Sequence, residues 1–256
     1  MGSVFYSILL HQKHQGQIKM IRIFVIQRIL NFFDFFQQKK VFNFLKKRIK
    51  NKSILFDVGA HYGETIKNFE KNFNFDEIHS FEASKKNFTQ LEKKFSNRNG
   101  IFLNNFGLSD SEKQLLINQF SESSSSTLSK INTDSKYFKR KLKVLGFSEK
   151  LNYSEKINVN LKLLDNYFIE KKINKIDLLK IDTEGHEYFV LKGSATTLPE
   201  IDYIYFEHHY DDMLKKGYTF SDIHNFLKVN NFKMVFKSKM FFRKTFEYIY
   251  KNLSKN

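Results

Sequence analysis

The stretch Ile54–Thr65 reads ILFDVGAHYGET. Its apolar run leads into Asp57 and Gly59, and a segment with helical spacing, ETIKNFEKNF, begins directly after Gly63. Glycine lets a ligand approach the backbone closely, and the start of a helix offers free N–H groups. The stretch therefore predicts a buried strand, a ligand-binding turn and a helix.

The spacing of this turn bears on the kind of ligand. A dinucleotide fingerprint reads GxGxxG, but here Ala60 stands at the second glycine, which disfavours a nicotinamide cofactor. Glu82 ends the next apolar run 25 residues after Asp57, close to the ~20 expected for a carboxylate that accepts ribose hydroxyls. Alone, the glycines could form only a tight turn, and Glu82 could be a solvated strand end. Together they predict a nucleoside-containing cofactor.

The same alternation of short apolar runs and helical segments continues along the chain. EIHSFEA and GIFLNNFGLSD are predicted strands around the helix KKNFTQLEKKF, and KIDLLKID and IDYIYFEHH are later strands around a helix from Glu187 to Leu198. An insertion at about 118–156, with a possible extra hairpin, interrupts this alternation of strands and helices. After the helix FSDIHNFLKVN, the segments NFKMVFK and FFRKTFEYIYK predict an antiparallel hairpin at a sheet edge. The pattern predicts an α/β domain with a mostly parallel sheet.

Composition limits the classes of protein. The 256 residues suit one domain over 51–256 with a short appendage, and the absence of cysteine excludes disulfides, thiolate zinc sites and thiol nucleophiles. A net charge of +16 suggests a polyanionic partner, although lysine spread evenly among Asn, Ile and Phe also fits an AT-rich genome. No secretion signal or membrane-spanning segment is recognised, so we expect a cytoplasmic protein, soluble or peripheral at the inner face of the membrane.

Residues 1–50 are predicted to form an amphipathic helical extension. From 20 to 50 the apolar side chains recur at helical spacing, as in two helices, and lysine and arginine concentrate at the end. One interpretation is that these helices pack on the catalytic domain or on a second subunit. The other is peripheral contact with an anionic membrane.

The stretch Leu179–Gly193, LKIDTEGHEYFVLKG, ends an apolar run in a group of acidic residues. A metal site is disfavoured, because HEYFV carries Val190 where the HExxH motif has its second histidine. Magnesium held by Asp182 and Glu207 is a minor alternative, and we expect no metal. Asp182 and Glu184 could instead cap the following helix, and Glu187 is expected to be structural.

Several motifs together resemble the FkbM family of S-adenosylmethionine-dependent methyltransferases. They are DVGAHYG, SFEAS, NNFGLSD, the serine cluster, LLDNYF, LLKIDTEGHEYFVLKGSATTL and YFEHH, which span Ile54 to about Lys237. The resemblance implies a class I methyltransferase fold of Rossmann-like type, with a seven-stranded sheet, one antiparallel strand and helices on both faces. It also implies S-adenosyl-L-methionine as cofactor and methylation of a hydroxyl on a sugar or small metabolite.

Residue by residue, the resemblance implies a cofactor site. The first motif, with Asp57, Gly59, Ala60 and Gly63, would surround the methionine part of the cofactor, and Glu82 would bind the ribose. The end of the third strand, with Gly107, Ser109 and Asp110, would border the adenine. The fourth-strand motif, with Asp182 and Glu184, would complete the site. His61 and Tyr62 depart from the usual first motif, where Asn and an aliphatic residue stand.

A methyl transfer needs the acceptor oxygen held in line with the methyl carbon, and a base is secondary. Ligands bind outside the carboxyl ends of parallel strands, so the candidate bases are Asp182, His208 and His209. Neighbouring strand residues face opposite sides, so at most one of the two histidines is expected to face the pocket, and His208 is preferred.

The leading hypothesis is an O-methyltransferase for a hydroxyl of a surface polysaccharide, glycolipid or small metabolite. A small-molecule or glycan acceptor is therefore expected and nucleic acid is not. The serine cluster Ser121–Ser129 is either a flexible linker or a mobile lid beside the acceptor. A nucleic-acid methyltransferase remains an alternative, although IDTEGHE lacks the proline of the base-amine motif. A non-catalytic, basic membrane-binding scaffold is a third.

Overall fold

A computed structural model describes residues 28, 33, 35–120, 129–145, 153–241 and 243–255 of the chain. In chain order the strands are β1 (Ser53–Val58), β2 (Phe75–Phe81), β3 (Ile101–Asn104), β4 (Gly107–Leu108), β5 (Lys113–Phe120), β6 (Lys130–Ile131), β7 (Tyr153–Lys162), β8 (Ile176–Ile181), β9 (Ile201–His209), β10 (Leu214–Lys215), β11 (Phe232–Lys239) and β12 (Thr245–Asn252). The helices are α1 (residues 35–46), α2 (Glu64–Glu70), α3 (Lys85–Phe95), α4 (Lys136–Leu145), α5 (Leu164–Glu170), α6 (Glu187–Lys192) and α7 (Phe220–Val229).

The central sheet has seven strands in the order β11-β12-β9-β8-β1-β2-β3. Neighbouring strands from β9 through β8, β1 and β2 to β3 are parallel. β12 is antiparallel to both β9 and β11. The prediction of a seven-stranded, mostly parallel sheet with one antiparallel strand is confirmed, as is the hairpin at its edge.

Both faces of the sheet are covered by helices, which is why its central strands are almost continuously apolar. On one face α5, α6 and α7 pack against residues such as Phe56, Leu179 and Phe206. On the other face α1, α2 and α3 pack against residues such as Leu55 and Leu178. Because side chains alternate along a strand, the SILFDV segment supplies both cores at once.

A second sheet of three strands, in the order β4-β7-β5, borders the predicted insertion. β5 and β7 are antiparallel but are not joined as a hairpin, because β6 and α4 lie between them along the chain, and β4 pairs with β7 in parallel. β6 pairs separately with β10. Of the serine cluster, only Ser129 lies within the described residues, and it donates a hydrogen bond to the Gly185 carbonyl at 2.6 Å; the lid prediction otherwise falls outside them.

Two predicted elements end earlier than expected. The strand predicted over Gly100–Asp110 ends at Asn104, whose side-chain amide donates to the Ser80 carbonyl and to the Tyr167 hydroxyl. The chain then passes to the second sheet. The helix predicted to reach Leu198 ends at Lys192, because the chain turns closely past the backbone of the β4–β5 segment and then forms a short 3₁₀ turn, Leu198–Glu200.

The described part of the N-terminal extension packs on the domain. Val41 and Leu45 of α1 are buried in the core that covers β1 and β8, and the Gln37 amide donates to Glu247 of β12 at 2.8 Å. Residues 1–27 of the predicted extension lie outside the described part. Among the described residues, no helix combines the length and apolar character needed to cross a bilayer.

Candidate active site

A cleft of about 410 Å³ opens at the carboxyl ends of β1, β2 and β8. This is the edge of a parallel sheet where ligands bind in such folds. Segments after these three strands and part of the second sheet form its walls. The lining residues are Val58, Gly59, Ala60, His61, Glu64, Thr65, Phe81, Glu82, Ala83, Ser84, Asn87, Gly107, Leu108, Ile117, Asp182, Thr183 and Glu184.

The turn after β1 is closely packed against the end of β8. Gly59 has a φ of +86°, and a Cβ built on it would lie 1.9 Å from the Asp182 carbonyl oxygen, so no larger residue fits. Gly63 has a φ of +84° and lies against the Phe95 ring, outside the cleft lining. Gly59 and Ala60 therefore lie at the cleft, whereas Gly63 serves the packing of α2 on α3.

Glu82 is fixed by the backbone around it. Its two carboxylate oxygens accept the backbone N–H groups of His61 and Ser84, each at 2.9 Å. Burial raises the pKa of Glu82, and these two hydrogen bonds oppose that effect by favouring the charged form. A carboxylate offers about four acceptor positions, so capacity remains for ligand hydroxyls.

Lys180 joins three parts of the site. Its ammonium lies 2.8 Å from the Thr65 hydroxyl, 3.2 Å from an Asp182 oxygen and 3.4 Å from an Asp57 oxygen. Burial alone would lower the pKa of Lys180, but Asp182 and Asp57 outweigh it and raise that pKa. Burial raises the pKa of Asp57, and Lys180 opposes that shift. Asp57 thus contacts Lys180 and does not itself line the cleft.

Asp182 is the one predicted base whose side chain lines the cleft. Its side chain is 35% exposed, and it follows β8 directly, with its backbone N–H bonded to the Val58 carbonyl at 2.9 Å. Glu184 and Thr183 line the cleft beside it. A partly exposed carboxylate, held on one side by Lys180, can accept a proton from an acceptor in the cleft.

The two histidines at the end of β9 have opposite protonation preferences. His209 Nε2 lies 3.2 Å from Glu184 and Nδ1 lies 3.8 Å from Asp211. Burial would lower the pKa of His209, but these partners raise it to about 10, so the ring is an imidazolium at neutral pH. A charged His209 has no free lone pair with which to accept a proton.

His208 lies on the other side of the strand, among the rings of Tyr210, Tyr218 and Phe220. Burial first, and then Lys216 and His209, lower the pKa of His208 to about 3. Its side chain does not line the cleft, so the structure does not support the preference for His208.

Of the three residues predicted to border the adenine, one lines the cleft and two do not. Gly107 lines the cleft, but the Ser109 hydroxyl pairs with the His186 ring at 2.9 Å and Asp110 pairs with Lys192 at 3.2 Å, both away from it. Leu108 and Ile117 line that end of the cleft instead. Ile117 was not among the predicted site residues, although the alternation in QLLINQF indicates a strand with one apolar face.

Glu187 has structural partners. It accepts the Gly185 backbone N–H at 2.8 Å and the hydroxyl of Tyr218, and burial raises its pKa. These contacts secure the turn between β8 and α6, which includes Glu184 and Gly185 at positive φ.

Within the described ranges, no group of three or more His, Asp or Glu side chains is placed to hold a metal ion. Burial, and then Asp182 and Glu247, raise the pKa of Glu207 well above its usual range. The same burial makes a charged Glu207 unfavourable, and this disfavours the alternative magnesium site with Asp182, because magnesium is held by ionised carboxylates.

The sheet order, the tight turn after β1 and the carboxylate after β2 define an α/β protein of the class that binds nucleoside cofactors at the sheet's carboxyl edge. The chain belongs to the FkbM methyltransferase family, because the family profile described as "Methyltransferase FkbM domain" matches residues 57–234. The family resemblance seen in the sequence is thereby confirmed.

Solved structures are similar in outline. A methyltransferase FkbM from Methylobacillus flagellatus KT is 13% identical, with 78% of this chain and 43% of that chain covered and a TM-score of 0.49. TrmK of M. capricolum, in complex with S-adenosyl-homocysteine, is 11% identical over 83% and 67% of the two chains, with a TM-score of 0.47. An rRNA methylase from Streptococcus thermophilus is 9% identical over 84% and 95%, with a TM-score of 0.46. A search of curated protein sequences gave no match.

Proposed function

We propose that this protein is an S-adenosylmethionine-dependent O-methyltransferase that methylates a hydroxyl of a sugar, either in a polysaccharide or glycolipid or in a small metabolite. One observation carries the proposal. The carboxylates of Glu82 and Asp182 line the same cleft, the first suited to a ribose and the second to an acceptor hydroxyl.

The residues of the cleft fit this cofactor. Glu82 would accept ribose hydroxyls, Leu108 and Ile117 would contact the adenine, and the backbone of Gly59 and Ala60 would border the methionine part. The cofactor is a cation at its sulfonium and ammonium, so the carboxylates lining the cleft complement its charge.

When bound, S-adenosylmethionine supplies an already activated methyl group. The chain then has to hold the acceptor oxygen at contact distance and in line, an effect that can be worth several kcal/mol. Asp182 would accept the proton of the hydroxyl as the new O–C bond forms and the S–C bond to the methyl group breaks, and this contributes ~10²–10⁴-fold. Lys180 fixes one Asp182 oxygen and leaves the carboxylate oriented by two neighbouring elements.

The charge of the cleft favours a neutral hydroxyl acceptor. Although the whole chain carries +16, the described lining residues include four carboxylates, Glu64, Glu82, Asp182 and Glu184, and no lysine or arginine. A phosphate-rich backbone at this place would be repelled. The net charge of the whole chain and the charge of the cleft thus differ in sign, and the carboxylates of Asp182 and Glu184, beside the proposed position of the acceptor, favour a neutral glycan hydroxyl over nucleic acid.

We place the enzyme in the cytoplasm, and the complete absence of cysteine is compatible with a reducing compartment. The test is transfer of a tritiated methyl group from S-adenosylmethionine into a cell-envelope extract and, separately, into total RNA. We expect label in a glycan or glycolipid fraction with the natural chain and almost none with Asp182→Asn. Label in RNA alone would overturn the acceptor assignment.

A further inference from the structure

We propose that the protein binds the surface of an anionic lipid bilayer through one defined surface. This Phe–Lys surface consists of the outer side of α1 and the neighbouring turn between β11 and β12. Its members are Phe35, Phe36, Lys39, Lys40 and Phe241.

Three aromatic rings of the surface are exposed. Phe35 is 59% exposed, Phe36 is 42% exposed and Phe241 is 40% exposed. The ring of Phe33 lies 4.9 Å from the ring of Phe241, so segments from the two ends of the chain meet here. Grouped exposed apolar side chains mark interaction sites, and burial of such rings in an apolar environment is favourable.

The surroundings of these rings are strongly basic. Residues 35–53 contain seven lysines and arginines and no Asp or Glu; they are Lys39, Lys40, Lys46, Lys47, Arg48, Lys50 and Lys52. The Lys40 ammonium lies 5.5 Å from the centre of the Phe241 ring. Each such cation is worth about 1 kcal/mol beside an anionic bilayer.

Apolar and basic contributions together match a lipid surface. A bilayer interface takes up aromatic rings just below the headgroups while lysines contact the lipid phosphates, and stable peripheral binding needs two such signals. Charge complementarity therefore points to anionic lipid. Single-stranded RNA could also stack on aromatic rings, and the experiment includes it as a competing outcome.

The surface is held rigidly by the fold. The inner side of α1 buries Val41 and Leu45 in the core, and Gln37 is hydrogen-bonded to Glu247. The outer side is therefore presented to the membrane without a further cost of ordering the helix.

The chain contains no tryptophan, so a single introduced tryptophan reports on its own surroundings. We would prepare Phe35→Trp and Phe241→Trp, with Val229→Trp as the matched control, because Val229 on α7 is 82% exposed. With vesicles of phosphatidylcholine and phosphatidylglycerol, the emission of the first two variants should shift to the blue and be quenched by brominated lipid. Pure phosphatidylcholine should have little effect, and the control should not respond.

A second pair of variants tests the charges. Lys39→Glu with Lys40→Glu should weaken vesicle binding by at least ~30-fold, since two contributions of about 1 kcal/mol are lost. Lys85→Glu with Lys86→Glu, an exposed pair on α3, is the control and should bind as the natural chain does. Circular dichroism and melting would verify that each variant is folded.

Three results would overturn the proposal. They are an unchanged spectrum with anionic vesicles, a response to RNA but not to vesicles, and a blue shift that grows with protein concentration in the absence of vesicles. The last would assign the surface to a second copy of the chain. None of these measurements requires methyl transfer, so failure here is separate from failure of the proposed activity.

Discussion

Replacing His209 with glutamine should remove a pH-dependent part of the protein's stability. The His209 ring lies between Glu184 and Asp211, with Nε2 at 3.2 Å from the first and Nδ1 at 3.8 Å from the second. Nδ1 also lies 3.0 Å from the Thr245 hydroxyl. The ring thus joins the turn after β8, the end of β9 and the start of β12 by its positive charge.

The magnitude follows from the displaced pKa. Burial opposes the charge, but Asp211 and Glu184 raise the pKa of His209 from 6.5 to about 10. A difference of this size corresponds to on the order of 5 kcal/mol. Because the folded state holds the proton more tightly, the stabilisation is fully present below pH 6.5 and is lost as the pH rises through 10.

Urea unfolding of the natural chain and of His209→Gln across this pH range tests the reasoning. We expect the natural chain to be more stable by about 3–5 kcal/mol near pH 6.5, with a gap that closes steadily toward pH 10. Lysines and tyrosines that titrate in the same pH range are present in both proteins, so their contributions cancel in the difference between the two free energies of unfolding. A gap that stays constant with pH would refute the assignment of a charged His209.

Three further substitutions test other parts of the site. Gly59→Ala should destabilise the fold by roughly 3 kcal/mol or more in thermal melting, because the new Cβ would lie 1.9 Å from the Asp182 carbonyl oxygen and the φ of Gly59 is +86°. The control is Gly217→Ala, because Gly217 also has a positive φ but has open space around it. Lys180→Met should cost about 3–5 kcal/mol by leaving the buried Asp57 carboxylate without its cation, and adding Asp57→Asn should recover much of this loss in urea unfolding. Asp182→Asn should lower kcat by ~10²–10⁴-fold with S-adenosylhomocysteine affinity within about threefold, and an unchanged kcat would remove Asp182 as the base.

The mostly parallel character of the central sheet was predictable because its signals are local. Apolar runs that end at Asp57, Glu82 and Asp182 alternate with helical segments, and such alternation predicts a parallel sheet. The polar residues at the ends of parallel strands then lie together at one edge of the sheet. The end of β3 was not predictable in this way. The apolar pattern of GIFLNNFGLSD continues past Asn104, and the break depends on the contact with Tyr167, 63 residues away.

The same distinction applies to the site. That His208 and His209 face opposite sides follows from strand alternation, but the partners of each ring, and the fact that neither residue lines the cleft, depend on packing between segments distant in sequence. Tyr218 and Phe220 enclose His208, whereas Glu184 pairs with His209. Ile117 reaches the cleft through the pairing of β5 with β7, a contact that no local pattern reveals.

Binding of S-adenosylhomocysteine, measured by titration calorimetry with the natural chain and with Glu82→Gln, tests the central claim most directly. If Glu82 accepts two ribose hydroxyls, each charge-assisted hydrogen bond contributes about 1.5–3 kcal/mol, and the substitution should raise Kd by ~10²–10⁴-fold. Circular dichroism would establish that the variant keeps its fold, since Glu82 also accepts two backbone N–H groups. Tight binding to the natural chain and a loss of this size in the folded variant are the predicted results. No binding to the natural chain, or equal binding to both, would contradict the account.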